Sequence, residues 1–369
     1  MSVPLLDLSR QYKMLKDKLE SKILEVAQSG SYINGPYVEE FEKKVAAYIG
    51  VKHAVGVASG TDALLLSLKA KGIGPGDEVI TSPFTFFATS EIIVLTGAKP
   101  VFVDIEPDTM NIDPKEIEKK ITDKTKAVIP VHIFGHAADM SRINTIAKKH
   151  DLLVFEDACQ AIGSKFDNMM LGSIGDSGSF SFFPSKNLGA FGDAGLVTTN
   201  SDEIAEKVRV LRNHGSEIRY YNDYIGHNSR LDAMQAAILS IKLEHLDDFN
   251  KARRANAQYY RDYFADCDII TPQTEKDYAY HTYHQYTIKV GDGKRDKVKD
   301  ALAAQKIGHA IYYPVPLHMM KAHADLHYKK GDLPITDAMC DAVISLPIFP
   351  ELEEKERELV AKTVVNAVK

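Results

Sequence analysis

Up to about Asn200 the chain alternates short apolar runs with stretches whose apolar residues recur at helical spacing. Runs that are apolar at nearly every position indicate strands buried on both faces, and helical spacing indicates helices that cover them. We predict strands at residues 78–81, 100–104, 127–133, 152–156, 177–183 and 195–199. We predict helices at residues 60–71, after Phe87, at 114–121 and at 140–150.

This alternation predicts an α/β fold in which a mainly parallel sheet carries helices on both faces. In such sheets, ligands bind at the carboxyl ends of the strands, in the loops that lead to the helices. We therefore expect the catalytic and ligand-binding residues at the strand ends.

After Asn200 the pattern changes. Residues 231–246 have helical spacing that continues toward Tyr260, and a strand-like run at 283–290, a helix at 297–305 and a final helix rich in Glu and Lys follow. We predict a large domain at residues 1–245, which includes the N-terminal segment, and a smaller C-terminal α+β domain at 246–369.

The composition is that of a globular protein with a large core: 369 residues, 44% hydrophobic and 26% charged. The net charge of −6 and the lack of a basic block predict no nucleic-acid partner. Three scattered cysteines without a CxxC pair favour a reducing compartment. The N-terminus lacks the apolar region of a signal peptide, and no run has the roughly 18 apolar residues of a membrane helix. We expect a soluble, cytoplasmic protein.

Four strand-end features have both a structural and a functional interpretation. In SGTDALLL, Gly60 and Thr61 at a helix N-terminus suit a phosphate, although a plain N-cap by Ser59 or Thr61 explains them too. In LLVFEDACQ, Asp157 follows a buried strand and would meet a buried cation, with Gln160 within reach of the same ligand; helix capping is the alternative.

In SPFTFFATS, three phenylalanines could cover a flat ring or simply pack in the core. In SFFPSKNLGAFGDAG, Lys186 follows an apolar strand. Burial there would lower its pKa and make the neutral amine a nucleophile toward an aldehyde, whereas the alternative is an ordinary surface lysine. Together the four features supply what pyridoxal 5′-phosphate (PLP) requires: partners for its carbonyl, ring nitrogen, ring face and phosphate.

Over nearly its whole length the sequence resembles the DegT/StrS-type sugar-nucleotide aminotransferases, which are fold-type I PLP enzymes. The motifs that carry the resemblance are YINGPYVEEFE, SGTDAL, GPGDEVI, FTFFATS, GAKPVFVDI, EDACQ, SFFPSKNLGAFGDAG, HNSRLDAMQAAIL, YYPVPLH and SLPIFP. A dehydratase branch of this fold has histidine in place of the lysine, and Lys186 therefore favours an aminotransferase.

The resemblance implies catalytic roles for two residues. Lys186 matches the Schiff-base lysine, which also moves the proton during transamination, and Asp157 matches the partner of the pyridinium nitrogen. It also implies cofactor contacts for Gly60, Thr61, Phe86, Gln160 and Ser181, in which Phe86 stacks on the ring, Gln160 neighbours the phenolic oxygen and the others bind phosphate.

Three further roles concern the partner subunit and the substrate. Asn228 matches an asparagine that reaches the phosphate of the neighbouring subunit, so the resemblance implies a homodimer with shared active sites. Arg230, Tyr313 and His318 match positions near the sugar or its diphosphate.

The implied reaction transfers an amino group from L-glutamate, which leaves as 2-oxoglutarate, to a keto group of a nucleotide-linked sugar. The motifs favour amination at carbon 3 of a UDP-linked 3-keto N-acetyl sugar or uronate. A dTDP-linked 3-keto-6-deoxyhexose and a carbon-4 keto sugar are the alternatives, in the synthesis of amino sugars for surface polysaccharide or glycoconjugate.

Two other classes remain open from the sequence. One is a regulator with this fold that binds PLP without turnover. The other is a metal-binding protein or hydrolase that uses His318, His323 and His327, although no HExxH motif or carboxylate cluster accompanies them, and we predict no metal site.

Overall fold

The computed structural model of the chain describes residues 2–218 and 220–369. It has the predicted α/β architecture, with a large central sheet and a smaller sheet in the C-terminal part. The described helices are α1 (Leu8–Ser29), α2 (Pro36–Ile49), α3 (Gly60–Ala70), α4 (Ala88–Leu95), α5 (Pro114–Ile117), α6 (Met140–Lys149), α7 (Asp202–Leu211), α8 (Ala233–Leu243), α9 (Leu246–Phe264), α10 (Arg295–Ala304), α11 (Pro334–Ala342) and α12 (Glu354–Val368). The described strands are β1 (His53–Val57), β2 (Glu78–Thr81), β3 (Lys99–Phe102), β4 (Thr125–Ile129), β5 (Leu153–Asp157), β6 (Lys165–Phe166), β7 (Met169–Met170), β8 (Ser177–Ser181), β9 (Gly195–Thr199), β10 (Ser216–Ile218), β11 (Tyr221–Asn222), β12 (Ile270–Pro272), β13 (Ala279–Tyr280), β14 (Tyr286–Val290) and β15 (Val343–Leu346).

The central sheet has seven strands in the order β1-β9-β8-β5-β4-β2-β3. The strands from β8 to β3 pair in parallel, and β9 is antiparallel to both β8 and β1. Successive residues point to opposite faces, so Val79 packs with α3 and α4 while Ile80 packs with α2, α6 and α8. Both faces are thus buried, and this is why the strands read as continuous apolar runs.

The smaller sheet, β12-β14-β15, is antiparallel and packs with α9, α10 and α12 around a second core. Helix α9 links the two cores: Leu246 belongs to the first, and Tyr260 and Phe264 belong to the second. Val3 also lies in the second core and pairs with Ile307. A domain boundary near residue 245 stays a prediction.

Some predicted elements have other bounds in the structure, and in two of the cases below the difference has a local cause. β4 stops at Ile129 because Pro130 has no amide hydrogen, and residues 133–135 form a 3₁₀ turn instead. β14 begins only at Tyr286, since Tyr283 has a left-handed φ of 46°. The single helix predicted from residue 231 toward 260 is wrong: it breaks into α8 and α9 at His245, without any proline or glycine to signal the break.

The sequence-based prediction also missed α1, α2 and β1, although Pro36 at the first turn of α2 after Gly35 is a recognisable start signal. Among the described residues, no helix is both long enough and apolar enough to cross a bilayer.

Candidate active site

A cavity of about 400 Å³ opens at the carboxyl ends of the central strands. Loops after β1, β2, β5 and β8 line one side of it, and residues 284–285 and 312–313 from the C-terminal part line the other. The cavity therefore lies at the edge of the sheet where the rule for parallel sheets places ligands.

Eight of the eleven predicted site residues line this cavity. They are Gly60, Thr61, Phe86, Asp157, Gln160, Ser181, Lys186 and Tyr313. The remaining three, Asn228, Arg230 and His318, are absent from its lining.

Asp157 ends β5 and is 5% exposed. Its Oδ2 accepts a hydrogen bond from Thr89 Oγ1 at 2.8 Å, and its Oδ1 accepts one from the backbone N–H of Cys159 at 3.2 Å. No helix follows β5, so the helix-capping alternative for Asp157 is wrong. The carboxylate is held by two donors and faces the cavity as an acceptor.

Lys186 lies in a tight turn after β8, in which its backbone N–H donates to Phe183 O at 2.8 Å. The side chain is half-buried and lines the cavity, which contradicts the alternative of an ordinary surface lysine. Desolvation lowers the pKa of Lys186, and attraction by Cys159 and Asp157 opposes that shift. The amine is thereby closer to the neutral, nucleophilic form than a lysine in water.

The glycines after Lys186 permit close approach of backbone segments. None of Gly189, Gly192 and Gly195 has a positive φ. A β-carbon on Gly189 would lie 2.8 Å from Pro184 C, and one on Gly195 would lie 2.7 Å from Gly60 N. Gly195 therefore lets β9 run directly beneath the Ser59–Gly60 loop.

The start of α3 forms one wall of the cavity. Ser59 is the N-cap, and its Oγ accepts from the N–H of Asp62 at 3.1 Å, so the capping interpretation holds for Ser59. Gly60 and Thr61 follow it and line the cavity beside Ser181. Free amides at a helix N-terminus beside a serine hydroxyl suit a phosphate.

Gln160 and Tyr313 meet across the cavity. Gln160 Oε1 accepts from the N–H of Phe134 at 2.8 Å, and its Nε2 donates to Tyr313 Oη at 3.1 Å. Desolvation raises the pKa of Tyr313, so its phenol is neutral near pH 7. The bond joins the loop after β5 to the C-terminal part of the chain.

Of the three phenylalanines of SPFTFFATS, two pack inside the protein and one faces the cavity. Phe84 is fully buried in a core cluster, and Phe87 packs against His323 at a ring-centroid distance of 5.4 Å. Phe86 is 60% exposed and lines the cavity. Only Phe86 is available to cover a ring.

Asn228 and Arg230 lie on a neighbouring segment of the chain. Asn228 is exposed and its backbone pairs with Asn213. Arg230 is half-buried, with Nη1 3.4 Å from Asn213 Oδ1. Between them, Ser229 Oγ donates to Asp62 Oδ2 at 2.8 Å, which ties this segment to α3.

His318 is buried in a 3₁₀ turn, where its Nε2 is 3.4 Å from Asp337 Oδ1. His323 Nε2 instead meets Ser90 Oγ at 2.8 Å, and His327 follows in a left-handed conformation. His323 and His327 therefore do not share a helical face. Within the described residues, no group of three or more His, Cys, Asp or Glu side chains is arranged to hold a metal.

Four of the other lining residues are Thr89, Cys159, His284 and Asp193, and the sequence indicated no role for any of them. Three of them lie within motifs already singled out. His284 lies in the strand-like run at 283–290 and is 7% exposed. Desolvation lowers the pKa of His284 well below its ordinary value, and the charge of Lys186 adds to this.

Comparisons with known proteins identify the family of the chain. The model of the DegT/DnrJ/EryC1/StrS aminotransferase family matches residues 13–365. The chain is 49% identical to a protein of Geobacillus stearothermophilus named pleiotropic regulatory protein, over 99% of this chain and 98% of the relative. It is 45% identical to the UDP-N-acetyl-3-dehydro-alpha-D-glucosamine 3-aminotransferase of Acidithiobacillus ferrooxidans, over 98% of this chain and 97% of the relative.

A third relative is the dTDP-3-amino-3,4,6-trideoxy-alpha-D-glucose transaminase of Streptomyces venezuelae, 42% identical over 100% of this chain and 95% of the relative. Among solved structures, S. venezuelae DesV in complex with a ketimine intermediate superposes with a TM-score of 0.97 at 41% identity, covering 100% of this chain and 99% of that one. The cavity at the strand ends, its lysine and aspartate, and a family match over nearly the whole chain lead to one conclusion: the protein belongs to the DegT/DnrJ/EryC1/StrS aminotransferase family.

Proposed function

We propose that the protein uses PLP to transfer an amino group from L-glutamate to carbon 3 of a nucleotide-linked keto sugar. The observation that carries the proposal is that Lys186 and Asp157 line one cavity, where desolvation lowers the pKa of the lysine. An amine nucleophile and a buried carboxylate are the two groups that an aldehyde cofactor with a basic ring nitrogen requires.

The residues of the cavity fit PLP. A β-carbon on Gly60 would lie 2.6 Å from Ser181 Cβ, so only glycine leaves room for a cradle between α3 and β8. The amides of Gly60 and Thr61 and the hydroxyl of Ser181 would hold the phosphate. Phe86 would cover the ring, and Gln160 would lie beside the phenolic oxygen.

When bound, PLP supplies an electron sink and a carbonyl carbon that accepts an amine. In the first half-reaction, Nζ of Lys186 would remove a proton from the α-carbon of the amino donor, and in the second it would deliver a proton to the aminated carbon of the sugar, acting in turn as base and acid. The carboxylate of Asp157 would pair with the ring nitrogen and keep it protonated. The neutral phenol of Tyr313 orients Gln160 through their hydrogen bond.

The names of the relatives support a nucleotide-linked sugar as the acceptor. Two of them act on 3-amino or 3-keto sugars, one linked to UDP and one to dTDP. We propose a UDP-linked 3-keto N-acetyl sugar or uronate as the substrate, with a dTDP-linked 3-keto-6-deoxyhexose or a carbon-4 keto sugar as the alternative.

We further propose a homodimer in which Asn228 completes the partner's phosphate site. Asn228 is exposed on a segment that Ser229 ties to the start of α3, and it does not line the cavity of its own chain. An exposed amide beside the site's own elements is available to a second copy.

One relative is named a pleiotropic regulatory protein, which favours a second candidate: a regulator that binds PLP without turnover. Addition of L-glutamate to the PLP-loaded protein separates the two functions. An aminotransferase converts glutamate to 2-oxoglutarate in a single turnover, and a regulator leaves the glutamate unchanged.

The test is to load the purified protein with PLP and record its visible absorption before and after borohydride, L-glutamate or both. We expect a band that borohydride bleaches, a matching mass increase on the peptide that contains Lys186, and release of 2-oxoglutarate on addition of glutamate. Lys186→Ala should lose all three signals, whereas Lys148→Ala, which alters an exposed lysine, should retain them. A wild-type protein without PLP binding would exclude the proposal.

The sugar is then identified by offering UDP- and dTDP-linked keto sugars with glutamate and reading the products by mass and by NMR. Amination of a UDP-linked 3-keto sugar in preference to its dTDP-linked or 4-keto counterparts is expected. Preference for a dTDP-linked or 4-keto sugar would replace the proposed substrate with the alternative.

A further inference from the structure

The carboxylate of Asp157 accepts a hydrogen bond from the hydroxyl of Thr89, a cavity residue that the sequence did not indicate as part of the site. A buried carboxylate needs hydrogen-bond donors to compensate for lost hydration. Asp157 is 5% exposed, and its hydrogen-bond donors include the backbone N–H of Cys159 and the hydroxyl of Thr89. The Thr89 bond is the shorter, at 2.8 Å against 3.2 Å.

Thr89 is itself held by a second threonine. It lies in the first turn of α4 and is 1% exposed, and Thr85, 2% exposed, places its Oγ1 3.2 Å from Thr89 Oγ1. A hydroxyl has one proton, and an ionised carboxylate can only accept. Thr89 therefore donates to Asp157, and Thr85 donates to Thr89.

The direction of these bonds has a consequence for Asp157. Each bond in a chain of donors polarises the next, so the Thr85 hydroxyl strengthens the bond from Thr89 to the carboxylate. Charge-assisted bonds of this kind are directional, and they fix the rotation of the carboxylate plane. The same segment carries Phe86, which lines the cavity, so α4 and the loop before it position both groups.

We propose that Thr89, supported by Thr85, is a positioning residue that orients the ionised Asp157 carboxylate toward the ring nitrogen of PLP. This inference rests on the proposed function. It assigns Thr89 an effect on cofactor binding through Asp157, in addition to its packing in α4.

The experiment compares Thr89→Val, which keeps the shape and removes the hydroxyl, with Thr89→Ser, which restores it. Thr287→Val is the matched control, because Thr287 is equally buried and its Oγ1 meets Ser345 Oγ at 2.8 Å in the smaller sheet. For each protein, the PLP dissociation constant, the pH dependence of the bound cofactor's absorption and the stability of the PLP-free form are measured.

We expect Thr89→Val to weaken PLP binding about 10-fold, the usual effect of losing a hydrogen bond to a charged group, and to shift the pH dependence of the absorption. Thr89→Ser should bind PLP within about twofold of wild type, since the donor is restored. Thr287→Val should lower the stability of the PLP-free form and leave PLP binding unchanged. Thr85→Val should weaken binding in the same direction by a smaller factor, and it provides the readout if Thr89→Val does not fold.

Either of two results overturns the inference while the proposed function stands. One is wild-type PLP affinity and absorption in both Thr89→Val and Thr85→Val. The other is a Thr89→Ser protein that binds PLP no more tightly than Thr89→Val. A wild-type protein that does not bind PLP overturns the proposed function and this inference together. Loss of PLP-free stability in Thr89→Val without a change in PLP affinity would reduce Thr89 to a packing role.

Discussion

Gly60 and Ser181 approach so closely that a β-carbon on Gly60 would lie 2.6 Å from Ser181 Cβ and 2.9 Å from Cys159 Sγ. Real side chains do not tolerate such contacts, so any larger residue at position 60 must push α3 away from β8. These two elements line the candidate phosphate site, and the short distance between them requires a glycine at position 60.

Gly60→Ala should therefore weaken PLP binding and lower the free energy of unfolding by about 1–3 kcal/mol, the usual cost of an overpacked core. Gly74→Ala is the control, because its β-carbon would meet nothing closer than Thr96 O at 3.6 Å. Urea unfolding and PLP titration of both variants measure the effect. Equal behaviour of the two alanine variants would contradict the role of close packing at Gly60.

His136 predicts a loss of stability in acid. It is fully buried, its Nε2 accepts from the N–H of Lys276 at 3.1 Å, and desolvation lowers its pKa to about 4. An unfolded histidine binds a proton near pH 6.5, so between pH 6.5 and 4 the unfolded state binds more protons and stability falls as the pH falls. The contribution is about 3 kcal/mol over that window.

The measurement for His136 is urea unfolding from pH 7 to pH 4 for wild type and His136→Gln. The variant should start less stable, because it loses the bonds of the ring, but its stability should fall less steeply with pH. His150→Gln, which alters a partly exposed contact with Glu118, serves as the control. Parallel pH profiles for wild type and His136→Gln would contradict the prediction.

Lys242 predicts a pH dependence of the same sign in alkali, where stability rises with pH. It is 3% exposed, its Nζ donates to Gly189 O at 2.7 Å, and desolvation lowers its pKa to about 8 against the attraction of Glu351. An unfolded lysine keeps its proton to about pH 10.5, so between pH 8 and 10.5 the unfolded state binds more protons and this group adds stability as the pH rises. Lys242→Met should remove that increment, and Lys148→Met should retain it. The test is to measure the free energy of unfolding of each protein at pH 7.5 and pH 10. If Lys242→Met gained as much stability with pH as wild type, deprotonation of Lys242 would not be the cause.

A shared active site predicts complementation between two inactive variants. Lys186→Ala removes the amine and Asn228→Ala removes the amide that we propose reaches the partner's site. A heterodimer of the two has one site with both residues intact, so it should recover about half of the wild-type activity per dimer. Differently tagged chains are refolded together and the doubly tagged species is assayed. An inactive, folded heterodimer would show that Asn228 does not act across the interface.

Much of the site was predictable because its residues directly follow apolar strands. Asp157 ends β5, Lys186 comes five residues after the end of β8, and parallel strands bring their carboxyl ends to one edge. Thr89 and His284 were not predictable in the same way. The place of Thr89 depends on the position of α4 relative to β5. The place of His284 depends on how the C-terminal part packs over the sheet.

Local rules also failed where no local signal existed. The break between α8 and α9 at His245 carries neither proline nor glycine, and α9 beyond it contributes residues to both cores. His318 lies in a motif that carries the resemblance, yet the structure buries it beside Asp337, and it is absent from the cavity lining. A motif fixes which residue is present, and packing determines what it touches.

The sequence by itself determined the α/β class, the strand ends that carry chemistry and the pairing of a lysine with an aspartate, because hydrophobic periodicity and residue type are properties of short segments. Only the tertiary structure decided that Thr89 donates to Asp157, that Gln160 meets Tyr313 and that Gly60 lies against Ser181. Those contacts join segments far apart in the chain. They exist only once burial on both faces of the sheet has fixed the distances between its loops.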